Sequence, residues 1–81
     1  MDRFVINKYI VADPEICHGK LTFAGTRIMV WQILEMLAAG ETVEEILEDF
    51  PSLKRDHITA ALEYAARMTE GERFFPLQPT P

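Results

Sequence analysis

The amino-acid sequence predicts a mainly α protein: a short N-terminal β ribbon followed by a tri-helical bundle of helix-turn-helix type. Three observations carry this. Apolar residues at Val30, Ile33, Leu34, Leu37 and Ala38 follow the i, i+3, i+4, i+7, i+8 spacing of a helix with one buried face. The stripe returns at Val43, Ile46, Leu47 and Phe50, and again at Ile58, Ala61, Leu62 and Ala65. Abrupt punctuation separates the three. Gly40 suits a C′ position, where a positive φ costs glycine little. Thr42 with Glu45 fits a capping box, and Pro51 lacks the N–H needed to continue a helix. Each segment is near or below the length of marginal isolated stability, so the helices must fold against one another.

The first eight residues carry too little pattern to assign. Tyr9 to Ala12 is a β-prone run closed by the turn pair Asp13-Pro14. Glu15 to Lys20 reads as a loop, and Leu21 to Ala24 as a second strand with Leu21 and Phe23 on one face. Gly25-Thr26-Arg27-Ile28 is a tight turn or bulge leading into the first helix. Two short strands are marginal alone, and pairing of ribbons from two subunits would support them, so a homodimer is expected. The third helix is expected to begin near Leu53, with Ser52 as its N-cap, and to stop at Gly71. Three prolines in the last eight residues forbid helix there. The organisation is thus a single domain, 1–81, with ribbon and turn at 9–29, bundle at 30–70 and a C-terminal tail at 72–81.

Composition limits the function classes. The 81 residues make one core, and 48% hydrophobic with 26% charged residues is ordinary for a globular domain. No apolar run reaches membrane-spanning length and Met1 to Ile10 lacks the shape of a signal peptide, so no membrane association is expected. The single cysteine, Cys17, excludes an internal disulfide and suits a reducing cytoplasm. The net charge is −5, and residues 35–50 hold −6 of it with no basic residue. Such a balance opposes strong DNA binding by a lone monomer. The acids either solvate the outer face of the second helix or present it to a basic protein surface.

Enzyme chemistry needs a constellation of recognisable spacing, and none is present, so no catalytic residue, metal or cofactor is expected. Cys17 and His18 are adjacent, which makes them poor joint ligands, and no second cysteine follows. A small hydrolase would require Cys17, His18 and His57 to converge. Arg27 follows Gly25-Thr26 at the strand-to-helix junction, where its guanidinium either braces the turn or meets a phosphate or an acidic partner; the structural role is the simpler. Trp31 lies off the apolar stripe, as a lid over the ribbon or as partner surface. In a helix-turn-helix, the exposed start of the last helix reads the major groove. Here that points to Lys54, Arg55, His57 and Thr59, a thin basic footprint unless doubled in a dimer. Lys54 and Arg55 also sit where the helix dipole prefers anions, a local rule broken either for phosphate binding or at an unconstrained surface.

Several phrases between His18 and Ala66 occur together: Gly25-Thr26-Arg27-Ile28, Leu37-Ala38-Ala39-Gly40, Glu44-Glu45-Ile46-Leu47-Glu48-Asp49-Phe50-Pro51, and Ile58 with Ala61, Leu62, Tyr64, Ala65 and Ala66. In this combination the chain resembles a small prokaryotic family labelled a domain of unknown function, number four-three-three. Leu21 stands where that family usually has proline, and Lys54 where it usually has a Thr or Ser cap. The family resembles homeodomain-like helix-turn-helix proteins, and some members are assigned as antitoxins encoded beside PIN-type ribonuclease toxins. The resemblance implies an antitoxin or small regulator. On that reading the bundle binds DNA weakly as a dimer, while Arg67, Arg73, Phe74 and Phe75 engage the toxin, with the two phenylalanines as anchors and Arg73 approaching the nuclease carboxylates. The alternative is a dimeric interaction module that binds no nucleic acid.

Overall fold

The computed structural model describes residues 3–71. Their order is β1 (Phe4–Val5), β2 (Ile10–Ala12), a 3-10 turn (Cys17–Gly19), β3 (Leu21–Phe23), α1 (Val30–Ala38), α2 (Val43–Asp49) and α3 (Arg55–Glu70). The protein is mainly α, with a small antiparallel sheet ahead of a three-helix bundle.

The ribbon has three strands, in the order β1-β2-β3. The third is β1, whose Phe4 and Val5 pair with Ala12 and Val11. Its connection to β2 is held by Asn7, whose Oδ1 accepts the Tyr9 and Ile10 backbone N–H groups at 2.8 and 3.0 Å. This is the local turn chemistry that asparagine supplies. In β2 and β3 the register sets Ile10 against Phe23 and Ala12 against Leu21. Ile10 and Phe23 lie fully buried in the main core, with Leu21 packed beside them. Alternation alone would leave the other face open, yet Val11 and Thr22, paired on it, are buried too. The Thr22 hydroxyl has no partner among the described residues. Thr22→Val keeps the shape and removes that group. It is expected to raise stability by about 1 kcal/mol in urea denaturation.

The sheet therefore finds its cover within the chain: α1 packs on β3, and α3 packs on β2. Packing within the chain thus covers the inner face of the sheet, while Phe4 and Val5 of β1 stay exposed.

Each helix start shows how side chains meet the free donors of a first turn. Thr42 and Glu45 form the predicted reciprocal box, with bonds of 3.1 and 2.8 Å. Gln32 reaches back to the Met29 N–H at 3.2 Å. Gly40 has φ +99, as its C′ place requires. The start of α3 differs from expectation. Leu53 is not helical; its N–H bonds the Phe50 carbonyl at 2.9 Å in a turn that seats its side chain in the core. Lys54, not Ser52, is the N-cap residue. The helix ends at Glu70, and Gly71 caps it with φ −87, without the left-handed backbone.

The core comprises Ile10, Phe23, Val30, Ile33, Ile46, Leu53, Ile58, Ala60 and Ala61. On α3 the buried face is rotated from the predicted stripe: Ala60 is buried and Tyr64 packs on the core, whereas Leu62 is 48% exposed. Tyr64 takes the place the period allotted to Leu62 because the sheet, as well as α1, lies against this helix. Ala38, at the end of the α1 stripe, is likewise exposed.

Candidate functional site

Two features of α3 bear on function: its first turn, and a groove along one flank. At the start of α3 Lys54 is exposed and, as the N-cap residue, makes no side-chain bond to the N–H groups of the first turn; its own N–H also needs an acceptor. His57 supplies one, its Nδ1 accepting the Lys54 N–H at 2.9 Å. The His57 ring is half-buried and packs edge-on against Tyr9 at 4.9 Å and Phe23 at 5.7 Å between centroids. Of the four residues read as groove-facing, His57 thus turns into the body. Arg55 is exposed but forms an ion pair with Glu44 of α2. The Arg55 hydrogen bond, aided by a backbone N–H and by the guanidinium charge, holds the Glu44 carboxyl below the usual carboxylate range. The cation that breaks the dipole rule in sequence is therefore answered by an acid from the preceding helix. Lys54 and Thr59 are the two that stay exposed without such ties among the described residues.

The groove runs between the β1–β2 connection and α3, with a volume of about 430 Å³. Tyr9 and Tyr64 form its apolar walls and Ala60 its floor; Lys8 and Arg67 stand on its rim with Asp56 and Glu63. The Tyr9 hydroxyl reaches Asp56 Oδ2 at 3.4 Å, and the Lys8 ammonium lies 5.4 Å from the Tyr9 ring centroid. Thr59 also lines it, so a residue assigned to DNA and one assigned to a partner, Arg67, share one site. Lys8, Tyr9 and Tyr64 escape a motif-based reading. Only the Tyr64 position had a signal, as the aromatic inside an alanine-rich helical phrase.

Elsewhere the structure separates what the sequence set together. In the turn after β3, Gly25 has φ +79, and Thr26 is the anchor: its Oγ1 donates to the Phe23 carbonyl at 2.8 Å and accepts the Ile28 N–H at 3.0 Å. The exposed Arg27 guanidinium braces nothing among the described residues; a short hydroxyl reaches the turn carbonyls more directly than a long side chain. The Cys17 thiol faces the Arg27 carbonyl at 3.6 Å, while His57 is held by Tyr9 and Phe23. Among the described residues no three His, Cys, Asp or Glu side chains gather as metal ligands. No helix among them is long and apolar enough to cross a membrane. Arg73, Phe74 and Phe75 lie outside the described residues.

Comparison with known proteins places the chain. Residues 10–65 match the family described as "Protein of unknown function (DUF433)". An uncharacterized protein, y4eO, of Sinorhizobium fredii is 34% identical over 64 residues, which is 79% of this chain and 29% of that protein. The crystal structure of a DUF433 member from Anabaena variabilis superposes with a TM-score of 0.69 at 30% identity, covering 75% of this chain and 60% of that one. The chain thus spans well under half of the first relative and about three-fifths of the second. The matched segment runs from β2 to the third turn of α3, so β1 and the end of α3 lie outside it. The chain is a member of the DUF433 family.

Proposed function

We propose that the chain is the antitoxin-like component of a toxin–antitoxin pair, binding a PIN-type ribonuclease and occluding its acidic site. The groove beside α3 carries this reading. Tyrosine and arginine are among the residues that dominate binding energy at protein interfaces, and Tyr9, Tyr64 and Arg67 line one cleft there with Lys8. Lys8 and Arg67 can pair with carboxylates of a partner, on a rim they share with Asp56 and Glu63, and residues 72–81, with Arg73, Phe74 and Phe75, follow α3 in sequence. Co-purification of the neighbouring gene product with the full chain tests it. Tyr64→Ala and Arg67→Glu are each expected to weaken that complex by about tenfold or more. A complex indifferent to both substitutions and to removal of 72–81 would sink the proposal.

The proposal's second half is weak DNA binding by a dimer through Lys54 and Arg55. The Glu44–Arg55 pair and the inward His57 favour a second reading, an interaction module that binds no nucleic acid. The double variant Lys54→Ala/Arg55→Ala separates the two. A DNA-binding chain loses affinity and shows a shallower dependence on salt, because fewer counterions are released. Binding absent in the parent chain, or unchanged in the variant, supports the module.

A further inference from the structure

The outward edge of α1 carries a large aromatic side chain with too little to cover it. Trp31 is 49% exposed, its indole N–H meeting only the Met29 sulfur, at 3.3 Å, among the described residues. It forms the wall shared by two depressions. One, of about 250 Å³, is floored by Leu21, Val30, Leu34 and Tyr64, with Lys20 at its edge. The other, of about 310 Å³, is lined by Gln32, Met36 and Ala39, with Glu35 and Glu41 at its edge.

The two sides of Trp31 thus carry opposite charge. A partner of one sign would be drawn to one rim and repelled by the other. A two-fold related copy is different. With the axis close to Trp31, each depression faces the other kind on its mate, so Lys20 meets Glu35 and Glu41 twice over. The same operation buries the two indoles against each other or in the facing clefts. The edge of β1 is a poorer candidate for self-association, since a two-residue strand offers little pairing. We infer that a second copy of this chain docks on the Trp31 edge of α1, forming an isologous dimer. This interface centres on α1 and shares only Tyr64 with the lining of the α3 groove, and it does not depend on the toxin reading.

The test uses the full chain alone, without nucleic acid or partner, so its failure leaves the proposed function standing. Sedimentation equilibrium from low micromolar to submillimolar protein reads the association. Fluorescence of Trp31, the one tryptophan in the chain, reads its burial, and a blue shift with rising concentration is expected. Trp31→Ala is expected to weaken association by about tenfold or more. Lys20→Glu, and separately the pair Glu35→Lys/Glu41→Lys, each oppose like charges in the homodimer. Both are expected to be monomeric where the parent is dimeric. Mixing the two charge-reversed chains restores both contacts and should return a heterodimer, an outcome that misfolding of either chain would not produce. A parent chain monomeric throughout, or a dimer that survives Trp31→Ala and both charge reversals, overturns the inference.

Discussion

Phe23→Ala is expected to destabilise the fold by about 3–5 kcal/mol, the range for truncating a buried aromatic. The side chain is fully buried, pairs with Ile10 across the sheet and meets the His57 ring where β3 approaches α3. Its backbone is also committed: the N–H bonds the Ile28 carbonyl at 3.0 Å, and its carbonyl accepts both the N–H and the hydroxyl of Thr26. The segment cannot slide to fill the gap without breaking the turn into α1. At about 0.05–0.15 kcal/mol per residue, a domain of 81 residues holds roughly 4–12 kcal/mol in all. The variant is therefore expected to be largely unfolded at growth temperature, read as a lost cooperative transition in circular dichroism. Phe4→Ala is the control. Phe4 is 72% exposed, and its truncation is expected to change stability by less than about 0.5 kcal/mol. Similar losses for the two would show that the sheet does not pack on α3 as described.

His57→Ala is the second large effect, at about 2–3 kcal/mol. It removes the acceptor for the Lys54 N–H and the ring between Tyr9 and Phe23 together. His57→Phe keeps a ring and deletes only the acceptor, so it isolates the cap. Its expected loss is about 1 kcal/mol. If the two variants fall equally, the ring contacts contribute nothing and the histidine acts through its hydrogen bond alone. If His57→Phe is neutral, the cap is the part without weight.

What the sequence discloses about this fold divides by range. Gly40 and the Thr42–Glu45 box are legible because their chemistry closes within four residues, whatever the rest of the chain does. The three helices are legible for a similar reason, since an amphipathic period states which face is buried. The period cannot state how wide that face is. The period put Leu62 on the buried face and left Ala60 out, and the sheet lying beside α1 on the same helix decided for Ala60 and Tyr64 instead. β1 has no signature because two residues carry no alternation; it exists through Asn7 and its pairing to β2. His57 is the instructive case. Its place at the start of α3 suggests exposure, and only the tertiary approach of Tyr9 and Phe23 turns it inward. The groove was illegible for the same reason, being made where the β1–β2 connection comes to rest on α3. Arg55 shows the converse: the unfavourable charge was visible in sequence, and its answer, Glu44, lay eleven positions away on another helix.

The clamp of Tyr9 onto Asp56 and His57 has a bearing on biosynthesis. It joins positions 47 residues apart, so the closing contact links an early element to α3. A chain emerging from the ribosome can form its hairpin and first two helices early, but their apolar faces stay uncovered until α3 has cleared the exit tunnel. A chain arrested before α3 is therefore expected to expose the apolar faces of the sheet and of α1, read as its sensitivity to protease.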